Sequence, residues 1–451
     1  MPRRKNILFL TTRVPSAPDK GDKIRTFHQL EHLARRHHVY LAGFADSDRD
    51  LAAAAFLRRI CADVAIVRLR KHRTLIPAAA KWIHGLPLMC GAFDNRELHR
   101  SLARWSREID FDVGVCFSTS MAPYLLELPL RRRVLDMCDV DSEKWFDYAE
   151  HTRFPMSMLF RREGARLRAF ERSCLSSFDS VIFITEQERA ILNPLPRVAT
   201  THVISNGTHL HPGSRSPASS RGPVIGFLGA MHYPPNVQAM EWFVREVWPQ
   251  VSSTVPGARL MIAGRNPARS VRRLSQAPAV EVIGEVSDAR RFLLGCRVVV
   301  APMQIARGLQ NKVLEAMAAR RPVVATLAVA SCLDVVDRHN ILVADEAGDF
   351  ADRVAELCWY DGLCERISEA GYRYAATYHC WPEVLQTYEQ VVLGGCEVPL
   401  SACPPSRNAG APPLRLPGNR GVLSGSPVFE EGRKARSALR LASPAGEAVV
   451  R

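Results

Sequence analysis

The stretch APMQIARGLQNKVLEAMAARRPVVAT, residues Ala301–Thr326, narrows the possible folds more than any other part of the chain. Val298 to Ala301 is a short unbroken apolar run, the mark of a strand buried on both faces. A loop ending in Gly308-Leu309-Gln310-Asn311-Lys312 follows. A helical pattern then runs through Val313, Leu314, Glu315, Ala316, Met317 and Ala318, and a second strand spans Pro322 to Thr326. Strand, loop, helix, strand is the unit of a parallel sheet covered by helices. The start of that helix suits an anion, because its first N–H groups lack intrahelical partners and carry partial positive charge. Lys312 adds a full charge on the first turn, and Glu315 offers a carboxylate to a diol one turn deeper. Together they fit a nucleoside diphosphate. The plainer reading of the same residues is an ordinary α/β connection with a solvated or capping glutamate.

The grammar of the rest agrees with an α/β chain. Apolar runs at Ile7–Thr11, Val39–Phe44, Val64–Leu69, Val113–Phe117, Val134-Leu135 and Ser180–Thr185 alternate with helical patterns. A second series begins at Val224–Ala230 and continues through Leu260–Gly264, Val280–Val286 and Val298–Thr326. Between the two series lies HPGSRSPASSRG, residues 211–222, whose Ser, Pro and Gly read as a linker. This sets a first domain over 1–210 and a second over 223–375, followed by a terminal helix over 376–394. Beyond it, residues 395–451 lose apolar periodicity and read as a disordered basic tail.

The net charge of +14 admits nucleic acid, an anionic membrane surface or phosphorylated substrates as partners. No zinc finger, RNP motif or basic region with heptads is present, so nucleic acid is not expected. No apolar run is long enough to span a bilayer, and the N-terminal ILFL has only a strand's length, so neither a membrane span nor a signal peptide is expected. Twelve cysteines occur without a C-x-x-C pair or metal-ligand spacing, which points to a reducing, cytoplasmic setting and no zinc site.

Two further stretches carry candidate chemistry. Asp136, Asp139, Asp141 and Glu143 crowd the carboxyl end of the strand at Val134-Leu135, where ligands of such sheets gather. They serve as acceptor contacts or metal ligands, or else Asp141 or Ser142 caps the next helix. FPMSMLFRREGARLRAF, from Phe154 to Phe170, is a basic amphipathic helix. Its apolar stripe lies either on an anionic leaflet or in the core of the first domain.

LEAMAARRPVVAT resembles the signature of retaining glycosyltransferases of family four, and the likeness extends over about residues 5–394. The resemblance implies two Rossmann-like doubly wound domains facing across a cleft, the GT-B fold, with the terminal helix over 376–394 returning to the first domain. It places Glu315 on the ribose of a nucleotide-sugar donor. It puts Gly229, Glu285, Val286, Gly308, Gln310, Asn311 and Lys312 around the donor, and brings Gly21, with Lys23 and Arg25, to the loop lining the cleft. The family usually has a glutamate where Arg307 stands, and an Arg and a Lys in the loop Gly229–Asn236, which has neither. Arg307 and Lys312 are therefore expected to supply the charge facing the diphosphate, or Arg307 to face an anionic donor sugar. The family's N-domain histidine is missing, and Asp139 and Asp141 stand in its place.

The phrases GDKIR, DVDSEKW, YPPN and ARGLQNK are similar to a branch of sugar transferases tied to exopolysaccharide assembly and the exosortase system of Gram-negative bacteria. The activity implied is glycosyl transfer with retention and without a metal, from a nucleotide sugar to a lipid-linked or polysaccharide acceptor. The site implied is the cytoplasmic membrane face. A nucleotide-sugar epimerase of the same fold, or a non-catalytic scaffold at the membrane, stands as the alternative.

Overall fold

The computed structural model describes residues 3–16, 21–69, 78, 82–150, 152–195, 200–211, 222–306 and 308–395. The expected linker therefore lies outside the described residues except at its two ends, and the expected tail does so except for Gly395. The chain divides into two compact units. The first comprises Met1–Val203 with Tyr388–Cys396, and the second comprises Ile204–Thr387.

The first unit is built on seven strands: β1 (Asn6–Thr11), β2 (His38–Ala45), β3 (Asp63–Arg68), β4 (Val113–Phe117), β5 (Arg133–Cys138), β6 (Ser180–Phe183) and β7 (Thr200–Val203). All pairings are parallel, in the order β3-β2-β1-β4-β5-β6-β7. Helices cover both faces, so strand residues are buried whichever way they point. Ile7, Leu8, Phe9 and Leu10 are all fully buried, which is why β1 is a continuous apolar run and not an alternating one.

The second unit repeats the plan with β8 (Val224–Leu228), β9 (Arg259–Ala263), β10 (Val280–Gly284), β11 (Val298–Ala301), β12 (Val323–Ala325) and β13 (Leu342–Val343). Their order is β10-β9-β8-β11-β12-β13, again parallel throughout. Both units are thus Rossmann-like, with the chain reversing its direction of winding between β1 and β4 and again between β8 and β11. A crevice opens at such a reversal, outside the carboxyl ends of the strands, and ligands of doubly wound sheets bind there.

The boundary at residue 210 expected from composition differs from the observed division after Val203. Thr208 pairs with Cys380 in a parallel bridge, and the His211 N–H donates to the carbonyl of Ala318 at 3.2 Å. These bonds tie residues 204–211 to the second unit before the Ser/Pro/Gly-rich stretch begins. The helix Met156–Ser177 packs Phe160, Gly164, Leu167, Cys174 and Leu175 inward, and its neighbour is the helix Asp141–Glu150. Phe154 and Met158 stay exposed at its start.

Candidate active site at the switch point of the second sheet

Two loops leave the second sheet at its point of reversal. One follows β8 and contains Gly229; the other follows β11 and ends at the helix Asn311–Ala318. Gln310 occupies the N-cap without a capping side-chain bond, its Nε2 donating instead to the Gly308 carbonyl at 3.3 Å. The Asn311 N–H donates to Leu309 and the Val313 N–H to Gln310. The Lys312 N–H has no carbonyl partner among the described residues. Gly308 turns the loop with φ of +60°, in the left-handed region where glycine is least strained.

Lys312 reaches from this helix across the reversal to the first turn of the helix Pro234–Trp242, which follows the other loop. Its Nζ donates to Asn236 Oδ1 at 2.6 Å, lies 3.5 Å from Met303 Sδ, and sits over the Phe227 ring at 5.0 Å. Asn236 is itself buried and donates from Nδ2 to the Ala230 carbonyl at 3.0 Å. A side chain at Gly229 has no room, since a Cβ there lies 2.9 Å from Asn236 Nδ2. Gly264, at the end of β9, is still more constrained. A Cβ at that position meets the Gly229 carbonyl oxygen at 1.7 Å, so the two loops pass backbone to backbone.

Burial acts on the two ionisable groups of this helix in opposite senses. It brings the Lys312 ammonium down to about 7, against the pull of Glu315. It pushes the half-buried Glu315 carboxyl up to about 7, against the pull of Lys312. Among the described residues the Glu315 carboxylate accepts no hydrogen bond. A ligand that brings an anion to Lys312 and hydroxyl donors to Glu315 restores the charged form of each, which is the chemistry of a diphosphate and a ribose.

Gly229 follows β8, and Gly308, Gln310, Asn311, Lys312 and Glu315 follow β11, so all six leave the second sheet at its point of reversal. Glu285 and Val286 follow β10, two strands away from β8, with Glu285 exposed and Val286 half-buried. Arg307 lies outside the described residues. The residue that sequence reasoning missed is Asn236. It stood there only as the end of a loop lacking Arg and Lys, and its partner is 76 positions away.

The first unit gathers a second cluster at the carboxyl end of β5. Asp139 Oδ2 and Asp141 Oδ1 both receive Lys144 Nζ, at 3.3 and 2.8 Å, and Ser118 Oγ donates to Asp141 Oδ2 at 3.3 Å. Desolvation works against the Lys144 charge, but Asp141 and Asp139 outweigh it and hold the lysine protonated well above its ordinary range. Ser118 and Cys138 leave β4 and β5 with φ of +72° and +59°, left-handed conformations that cost a non-glycine residue energy. Two buried carboxylates hold the loop between them. Glu188 Oε2 accepts the Val140 N–H at 2.6 Å, and Glu171 Oε1 accepts the Ser142 N–H at 3.0 Å.

Gly21 begins the helix Gly21–Arg36. The charges expected nearby are engaged inside the first unit. Lys23 pairs with Asp50 at 2.5 Å, and the fully buried Arg25 grips Asp136 through Nε and Nη2 at 3.0 and 3.3 Å. Asp136 also accepts from Gln29 at 2.7 Å. Among the described residues no group of three His, Cys, Asp or Glu side chains is placed to hold a metal ion.

Residues 222–358 match the family model described as Glycosyl transferases group 1. No protein of curated function matches the chain in sequence. Among solved structures, sucrose-phosphate synthase from Thermosynechococcus elongatus superposes with a TM-score of 0.62 at 17% identity, over 86% of this chain and 98% of that one. Anabaena Alr3699/HepE in complex with UDP and glucose gives 0.60 at 15%, over 87% and 100%. WaaG, a glycosyltransferase involved in lipopolysaccharide biosynthesis, gives 0.58 at 14%, over 86% and 100%. At such identities the likeness establishes the architecture. The chain has the two-domain α/β fold of GT-B glycosyltransferases, and its second unit carries the match to the group 1 model.

Proposed function

We propose that this protein transfers a glycosyl group from a nucleoside-diphosphate sugar, with retention, to a lipid-linked or polysaccharide acceptor in exopolysaccharide assembly. The observation that carries the donor half is the crevice itself. A half-buried lysine and a half-buried carboxylate stand one turn apart at a helix start, within the segment matching the group 1 model. Structures of the same fold hold UDP, or UDP and glucose. In this reading Glu315 accepts hydrogen bonds from the ribose. Lys312 and the helix N–H groups face the diphosphate, whose charge grows as its bond to the anomeric carbon breaks. Preorganised donors aimed at that developing charge are an electrostatic form of catalysis, and the proposed mechanism uses no metal. Asp139 and Asp141 are assigned to an acceptor hydroxyl.

The reading also seats the protein on the inner face of an anionic membrane. Exposed Phe154 and Met158 stand among exposed Arg153, Arg161 and Arg162, the pairing of apolar and basic groups that such surfaces bind.

A thermal-shift titration with UDP, GDP, ADP and CDP, run beside Glu315→Ala, tests the donor assignment. A nucleotide at about 100 times its dissociation constant stabilises the native state by roughly 2.7 kcal/mol. One of the four is expected to do so, with the gain lost in the variant. Absence of any shift rejects the donor site. Product analysis of the matching nucleotide sugar without acceptor separates transfer from epimerisation, since an epimer of the donor appears only under the latter.

A further inference from the structure

The chain enters the second unit through Ile204–His211, and this segment is bonded to both ends of the helix that begins the donor site. At the start, Asn206 Nδ2 donates to Asn311 Oδ1 at 3.0 Å. At the far end, the His211 N–H takes the Ala318 carbonyl at 3.2 Å. Between them Leu210 packs against the core of the unit. Gly207 lies so close under Trp381 that a Cβ there is 2.4 Å from the ring, which forbids any larger residue at that place.

A second layer holds Asn206 in turn. His379 is buried; its Nδ1 lies 2.9 Å from Ser205 Oγ and 3.3 Å from the Asn206 carbonyl, and its Nε2 lies 3.0 Å from Tyr374 Oη. The Asn206 carbonyl can only accept, so Nδ1 is the donor toward it, and Nε2 is left to accept from the Tyr374 hydroxyl, whose oxygen also takes the Asp334 N–H at 3.2 Å. Burial takes His379 down to about 4, so this relay of hydrogen bonds keeps one tautomer at neutral pH. The Thr208 N–H donates to the His379 carbonyl at 2.6 Å and closes the arrangement.

We infer that Asn206 is a positioning residue for the diphosphate end of the donor site, holding Asn311 and thereby the aim of the first helical turn and of Lys312, with His379 holding Asn206. The inference rests on the donor-site reading given above. The bond meets the helix at Asn311, on its first turn, one turn before Glu315. Its loss therefore bears on the phosphates. The Asn206–Asn311 bond couples two residues 105 positions apart, which is why neither residue announces the role by itself.

Calorimetric titration of the full chain with UDP, GDP, ADP and CDP, each against its monophosphate, tests it. In Asn206→Ala the affinity for the bound diphosphate is expected to fall about five-fold, the usual worth of one hydrogen bond, while the monophosphate changes less than two-fold. Asn311→Ala and the double variant are expected to match the single change, because all three remove the same bond. Equal losses for mono- and diphosphate, or additive losses in the double variant, overturn the inference. If the unmodified chain binds none of the four, the donor reading itself has failed. Should Asn206→Ala not fold, Asn311→Ala removes the same bond from its half-buried side and carries the same expectation.

Discussion

Lys312 and Glu315 share one helical face, and burial has moved both to about 7 from opposite ends of the scale. Nucleoside-diphosphate binding is therefore expected to be bell-shaped in pH. Above 7, Lys312 loses its proton and with it the attraction for phosphate; below 7, Glu315 gains one and ceases to be a carboxylate for the ribose. The two titrate as a coupled pair, so the limbs belong to the pair until the variants separate them. Calorimetry from pH 5.5 to 9 is expected to show the alkaline limb vanish in Lys312→Met and the acid limb weaken in Glu315→Gln. The remaining acid limb is the terminal phosphate's own titration, near 6. A pH-independent affinity in the unmodified chain removes both groups from the site. These two residues were legible in the sequence because glycine, lysine and carboxylate fall at a strand-to-helix junction. Asn236 was not. An asparagine after a Pro-Pro pair reads as turn chemistry, and only the folded backbone brings Lys312 Nζ within 2.6 Å of it.

At the scale of elements, the strands of the described residues were legible wherever a parallel strand is buried on both faces and must be apolar throughout. β7 and β13 were the weakest signals, since β7 is an edge strand of Thr and His and β13 has two residues. What the sequence concealed is how the loop between β5 and its following helix is held. Glu171 and Glu188 look like solvated helix residues in Arg-rich and Glu-rich surroundings, yet both are buried under that loop and receive its N–H groups. Desolvation raises each to about 7 from 4.5, even though hydrogen bonds from Ser142 and Val140 pull the other way. A carboxyl raised in the folded state favours folding below its unfolded value and loses that contribution as pH rises through the folded one. Glu171 thus makes stability fall with rising pH between about 4.5 and 7. His379, lowered to about 4 from 6.5, acts in the opposite direction over an overlapping window. The clean readout is therefore a difference between chains. Urea unfolding at half-unit steps is expected to give Glu171→Gln a pH slope more positive than that of the unmodified chain by up to one proton, confined to that window. Parallel curves for the two chains show that Glu171 titrates normally.

At the scale of the whole chain, the first unit is not continuous in sequence. Composition marks where a linker and a tail begin, but the ordinary amphipathic pattern of Trp381–Leu393 does not reveal which unit the last helix serves, and only the family resemblance led to the expectation that it returns to the first domain. The structure assigns that helix from Tyr388 onward to the first unit. Tyr388, Val391 and Val392 are almost wholly buried, and Arg132 donates to the carbonyls of Val391 and Val392 at 3.0 and 3.1 Å. Glu389 is gripped by His32 at 2.7 Å, His37 at 3.0 Å and Arg36 at 3.1 Å, all from the first helix or the residue that follows it. Burying each of three such side chains contributes roughly 1.5–3 kcal/mol, and the whole of a domain's stability is about 5–15 kcal/mol. A chain ending at Thr387 is therefore expected to lose the first unit while keeping the second. Hydrogen–deuterium exchange reads the two separately. Amides of β1, β2 and β4 are expected to exchange at rates approaching those of an unfolded chain, whereas β8, β9 and β11 remain protected and the nucleotide that binds the full chain still deepens their protection. Undiminished protection in β1 assigns Tyr388–Leu393 a peripheral role, and loss of protection in both sheets shows that the second unit depends on the first.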